Sequence, residues 1–168
     1  IDFAYTLQGW LKGINSVLDD PTRDIGGDGG GNGFAPDAYG FALGYRQGDY
    51  KPVGARHFLP RHDAPAVNAV EQDSRDLWDG NIQYTLSRIS GLSRPVTANV
   101  FAYDQAQRIR SSRFYSMQAT PAGRYNTDGL PWLSQTAYAT DYEYDPNGNI
   151  TRLQRRGESG NLFDNLSY

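Results

Sequence analysis

Apolar and aromatic residues recur at every second position in several parts of the chain. Ile1, Phe3, Tyr5 and Leu7 form one such set, and Tyr39, Phe41, Leu43 and Tyr45 a second. Ile82, Tyr84 and Leu86 form a third, and Thr136, Tyr138, Thr140, Tyr142 and Tyr144 a fourth. A period of two puts each set on one face of an extended strand. Between Tyr39 and Tyr45 the intervening residues are Gly40, Ala42 and Gly44, so the second face of that strand is nearly bare. Such a face predicts that another part of the chain packs closely against it.

Turn chemistry separates the strands. Gln8-Gly9 predicts one reversal, and Asp145-Pro146-Asn147-Gly148 another, with Pro setting φ and Asn and Gly tolerating positive φ. Two hairpins follow, near residues 99–115 and 136–156. Their returns are predicted over 108–115 and 149–155, although Ile150 and Leu153 share a face only if a bulge intervenes. Residues 19–33, with GGDGGGNG from Gly26, read as a flexible loop, and residues 120–132 as a second loop. The polar stretch 60–76 leaves room for one short helix, over residues 66–75. The fold expected is all-β, a series of consecutive antiparallel β-hairpins with long Gly-rich loops.

The second hairpin carries the segment YEYDPNGNI, residues 142–150, and a looser copy, FAYDQAQRI, occupies residues 101–109. Both have an aromatic residue, a spacer, Tyr-Asp, and then an Ile after the turn. LWDGNI at residues 77–82 keeps the end of the motif with Trp in place of Tyr. Repetition of this kind indicates scaffold, although Ile82, Ile109 and Ile150 are unevenly spaced and no strict solenoid is expected.

At Tyr103, Asp104, Arg108 and Ile109, and at Tyr144, Asp145, Gly148, Asn149 and Ile150, the chain resembles the YD-repeat, or RHS-repeat, family. LQGWLKGIN (7–15), YGFALGYRQGDYKPVG (39–54) and LWDGNIQYT (77–85) are similar to the region upstream of the C-terminal core in large RHS proteins of the Bacteroidetes group. The first copy departs from the pattern, with Ala106-Gln107 where the family often has Gly. The flanks of Asp145-Pro146-Asn147-Gly148 do not match the self-cleaving core segment of some relatives, so no autoproteolytic residue is carried over. The resemblance implies a spiralling β-shell of which residues 1–168 form a fragment, secreted or at the cell surface. It also implies partners: the remainder of an RHS polypeptide, a C-terminal toxin or effector within the shell, and a secretion or delivery apparatus. The alternative class is a cell-surface adhesin or carbohydrate-binding module, recognising glycans through Tyr142 or Trp132.

Composition narrows these readings. Asp outnumbers Glu 16 to 3, and 19 Gly, 9 Pro and 12 Tyr favour turns and strands over helices. A net charge of −3 gives no reason to expect nucleic acid. With no Cys there is neither disulfide nor thiol chemistry, and no apolar run is long enough for a membrane span. Candidate chemistry is sparse. Asp141, Glu143 and Asp145 have the spacing of paired carboxylates but are read as charges facing Arg152, Arg155 and Arg156 across the hairpin. The arginines at 108, 110 and 113 are likewise expected to pair with carboxylates in the sheet. His57, His62 and Asp63 fall short of a zinc set, and Asp24, Asp28 and Asn32 do not have calcium-loop spacing. Neither a catalytic residue nor a cofactor or metal is expected, and the YD residues are read as structural.

Overall fold

The computed structural model describes residues 1–18, 23–27, 33, 37–46, 48–50, 77–92, 96–117 and 132–168. Among the described residues nine strands follow one another: β1 (Phe3–Tyr5), β2 (Leu11–Ile14), β3 (Tyr39–Gly44), β4 (Tyr84–Ile89), β5 (Val96–Tyr103), β6 (Ile109–Met117), β7 (Trp132–Tyr144), β8 (Ile150–Arg156) and β9 (Leu162–Ser167). They form a single sheet in chain order, every neighbour antiparallel. The all-β expectation holds, and no helix occurs among the described residues. Among the described residues the sheet is open, with β1 at one edge and β9 at the other. The short helix expected over 66–75, the His57, His62 and Asp63 group, Asp28 and Asn32 all lie outside the described residues.

Alternation in sequence becomes alternation of burial. Along β5, Val96, Ala98, Val100 and Ala102 are buried while Thr97, Asn99, Phe101 and Tyr103 are half-buried on the other face. The buried face continues through Leu86 and Tyr84 of β4 to Ala42 of β3. Val17, Leu18 and Ile25 pack into the same cluster. Of the segment expected to be a flexible loop, residues 23–27 and 33 are described, with Asp24 buried and Ile25 against the core.

The bare face of β3 is where this covering segment approaches. A side chain at Gly40 would run into the Ser16 backbone, and one at Gly44 into the Tyr84 ring. Glycine is therefore required at both places by space, as the small-residue pattern predicts. A buried guanidinium fastens the crossing: Arg88 donates to the carbonyls of Leu18 and Asp37, both at 3.1 Å. Those bonds offset the cost of taking its charge out of water and give loop carbonyls a donor.

Two details of register differ from a simple alternating strand. The ladder expected from Thr136 to Tyr144 is broken, because Ser112 lies opposite Thr140 whereas Phe114 lies opposite Gln135. Within this irregularity Tyr138 takes φ 58, and Ala137 and Ala139 turn to the buried side. The misfit of Ile150 and Leu153 has a simple resolution. Tyr144 pairs with Ile150 and Glu143 with Arg152, leaving Thr151 as the extra residue of a bulge. Leu153 then lies opposite Tyr142, so the two apolar residues share the tyrosine face.

Replacing Gly40 by Ala is expected to destabilise the sheet by about 2 kcal/mol through overpacking against backbone that cannot move aside. The Gly91→Ala change, at φ 86 with nothing within 4 Å, should cost only about 1 kcal/mol, from the backbone alone. Urea unfolding of the two variants measures the difference.

Candidate functional site

The tyrosine–aspartate motif is a particular hairpin tip. At the second copy the Asp145 amide donates to the Asn149 carbonyl at 3.0 Å, and the Gly148 amide to the Asp145 carbonyl at 3.1 Å. Gly148 sits at φ 92. The first copy repeats this at Asp104, with both bonds at 3.0 Å and Gln107 at φ 62. The same bonds and positive φ recur at Thr6 with Gly9, and at Gly157 with Gly160, although neither carries Tyr-Asp. Each tip is flanked by a pair followed by a bulge: Tyr5 with Leu11, Tyr103 with Ile109, Tyr144 with Ile150, and Arg156 with Leu162.

Asp holds the turn shut. Oδ1 of Asp104 accepts from the amides of Ala106 at 2.9 Å and Arg108 at 3.0 Å. Oδ1 of Asp145 accepts from the Asn149 amide at 2.8 Å, and Oδ2 from the Asn149 side-chain amide at 2.9 Å. These bonds favour the carboxylate over the acid. The Arg108 amide is the main cause holding Asp104 below its ordinary value, and the Asn149 side chain the main cause for Asp145.

Tyr has a different task. The Tyr144 hydroxyl donates to the Ile109 carbonyl at 2.7 Å, and that of Tyr103 to the Ile82 carbonyl at 2.8 Å. Tyr45 donates to the Leu11 carbonyl at 2.8 Å. In every case a tyrosine at the end of one hairpin's outgoing strand reaches the apolar residue that begins the return of the hairpin before it. The residue preceding that acceptor supplies a second contact at two of the junctions. Trp10 packs on Tyr45 with ring centroids 5.1 Å apart. The Arg108 guanidinium lies over the Tyr144 ring at 4.5 Å while bonding Asp104 at 2.7 Å and the Asp145 carbonyl at 3.1 Å. Loss of water around the phenols raises all three tyrosine pKa values, and Asp49 adds to this at Tyr45, as does Asp79 at Tyr103.

This arrangement accounts for the uneven repeat. LWDGNI supplies only the second half of its hairpin, with Asp79 capping Asn81 at 3.0 Å and Ile82 offering the carbonyl. The first half is Tyr45, at the end of β3, joined to it where the Leu77 amide meets the Tyr45 carbonyl at 2.9 Å. Residues 46–76 intervene between the halves.

Most of the remaining charged candidates form ion pairs. Asp141 meets Arg113 at 2.5 Å, Glu143 meets Arg152 at 3.1 Å, and Asp164 meets Arg155 at 2.6 Å. Arg152 thus faces Glu143 as the sequence suggests, whereas Asp141 turns to the preceding strand. Arg156 bonds the Gly160 carbonyl at 3.0 Å. One buried pair had no sequence signal: Lys12 is fully buried with its ammonium 2.7 Å from Asp49. Asp49 also accepts from the Tyr45 amide at 2.9 Å, tying the segment after β3 to the first hairpin. No group of metal-binding side chains and no helix able to cross a membrane occurs among the described residues. Comparison of the chain with protein-family models, curated proteins and solved structures gives no significant match.

Tyr103→Phe is expected to lose about 1 kcal/mol, the usual net value of such a bond. Tyr5→Phe, whose hydroxyl makes no such bond among the described residues, should stay within about 0.5 kcal/mol of the parent. Chemical denaturation of both variants provides the check. The aspartates set an acid limit with a definite sign. Their folded values are depressed, so their contribution is complete above the ordinary value of 3.8 and is lost as pH falls through the lower folded values. Asp104→Asn combined with Asp145→Asn should flatten the acid limb of a stability-against-pH curve. The tyrosines act oppositely: their contribution is complete below 10.0 and disappears as pH rises through the raised folded values.

Proposed function

We propose that this chain is a structural wall segment of a large secreted or surface protein of the RHS-repeat type, building part of a β-shell that encloses or delivers a C-terminal toxin or effector. The observation that carries this reading is the recurrence of one bond, tyrosine hydroxyl to preceding carbonyl, at three successive hairpin junctions. A junction that recurs between neighbours makes stability a sum of local terms, as in other repeat architectures, and lets a sheet extend without a central core. The motif residues support a structural task, since Tyr103, Asp104, Arg108, Tyr144, Asp145 and Asn149 all spend their polar atoms on the tips. No catalytic role is assigned to any of them. Its partners on this reading are the rest of its own polypeptide, the enclosed effector and the apparatus that exports the assembly.

Both edges of the sheet favour further pairing. Phe3 and Tyr5 on β1 are more than half exposed, and on β9 Leu162, Phe163 and Leu166 are also exposed. Edge strands with apolar side chains and open backbone groups recruit other strands unless something covers them. The 168-residue chain alone should therefore self-associate in sedimentation velocity runs, and Leu166→Lys, a charge placed on the β9 edge, should reduce that association. A monomer of the parent sequence with a single cooperative melting transition would contradict the wall reading.

A further inference from the structure

We infer that the groove between the second and third hairpin tips is a binding site for a small neutral sugar. It encloses about 380 Å³ and is lined by residues of both tips, Asp79 and Asn81 from one and Tyr103, Gln105 and Gln107 from the other, with Phe101 and Arg110 alongside. That volume lies at the small end of ligand sites and suits one or two sugar rings.

The strongest reason is a residue that breaks the rule of its own turn. The position of positive φ is Gly9, Gly148 and Gly160 in the other tips, but Gln107 at φ 62 here. Left-handed backbone is costly for any residue with a Cβ, and a conformational cost maintained at one member of a repeat points to a task for the side chain. The Gln107 side chain lines the groove. Its neighbour Gln105 lines it too, and both glutamines are exposed to solvent. Planar amides donate and accept at once, which suits vicinal hydroxyls.

The remaining lining fits the same ligand. Phe101 and Tyr103 stand two apart on one face of β5 and offer apolar ring surface to the C–H face of a sugar. The Tyr103 hydroxyl is committed to Ile82, which fixes its ring between the two tips. Asp104 is neutralised by Arg108, and Asp79 and Arg110 supply one charge of each sign. The groove therefore carries no net charge that would demand an ionic ligand. This inference does not rest on the wall reading, since a wall or an isolated domain would carry the groove alike.

Saturation-transfer NMR on the 168-residue chain tests it, because the transfer is read on the small molecule whether the protein is monomeric or assembled. The probes are glucose, galactose, N-acetylglucosamine, maltose, lactose and chitobiose. At least one is expected to show saturable transfer to its ring C–H protons, weakened at least about ten-fold in Kd by Gln107→Gly and reduced again by Gln105→Ala. The same Gln107→Gly change should raise Tm by about 3 °C, since glycine suits the turn. Binding lost while stability rises separates recognition from misfolding. No transfer to any of the six probes, or transfer that Gln107→Gly leaves unchanged, would overturn the inference.

Discussion

A carbonyl in a sheet has lone pairs to spare, and the hydroxyls of Tyr45, Tyr103 and Tyr144 each take one from the hairpin before their own. The acceptor is backbone, so the bond asks nothing of the acceptor's side chain beyond its position. That position is set by the turn. The aspartate cap and the positive-φ residue close the tip, and the bulge after it brings Ile109 or Ile150 opposite its tyrosine. Tyr-Asp is thus a pair with divided labour: Asp acts within its own tip, and Tyr acts on the neighbour. Arg108 serves both, bonding the Asp of its own tip and covering the Tyr of the next.

The rest of the sheet is arranged around these junctions. One face is buried beneath the segment that follows β2, which requires Gly40 for its approach and Arg88 to satisfy its carbonyls. A buried ion pair such as Lys12 with Asp49 is weak evidence for net stability but strongly disfavours separating its members. Here it joins β2 to the residues just beyond Tyr45, beside the first of the tyrosine bonds. On β7 and β8 the corresponding face turns polar, with Asp141 paired to Arg113 of β6 and Glu143 to Arg152. The apolar cluster is therefore confined to the first part of the sheet, and the later hairpins depend more on tip contacts and strand pairing.

Local features were legible in the sequence and relations between distant ones were not. The bare face at Gly40, Ala42 and Gly44, the turns at Asp104 and Asp145 and the need for a bulge near Ile150 all follow from neighbouring residues, whose spacing is preserved in the fold. Gln8-Gly9 likewise marks the tip at Thr6, whereas the tip at Gly157 was hidden because the turn is defined by backbone bonds and a positive φ, which Gly160 satisfies without Tyr-Asp. Tyr45 and Ile82 could not be matched as halves of one hairpin, since the residues between them erase the motif's internal spacing. Nor did alternation reveal the irregularity at Tyr138, because the period of two in sequence and in burial runs on through residues 136–139. The tyrosine-to-carbonyl bond has no sequence signature at its acceptor end, so the motif is visible while its purpose is not.

Hydrogen exchange in the Tyr103→Phe variant tests most directly whether that bond couples successive hairpins. The amides to follow are Leu77 and Gln83, which bond the Tyr45 and Gly44 carbonyls in the preceding hairpin, together with Asp104 and Gln107 in its own tip. Coupling through the hydroxyl predicts faster exchange at both sets relative to the parent chain. Acceleration confined to Asp104 and Gln107, with Leu77 and Gln83 unchanged, would contradict it.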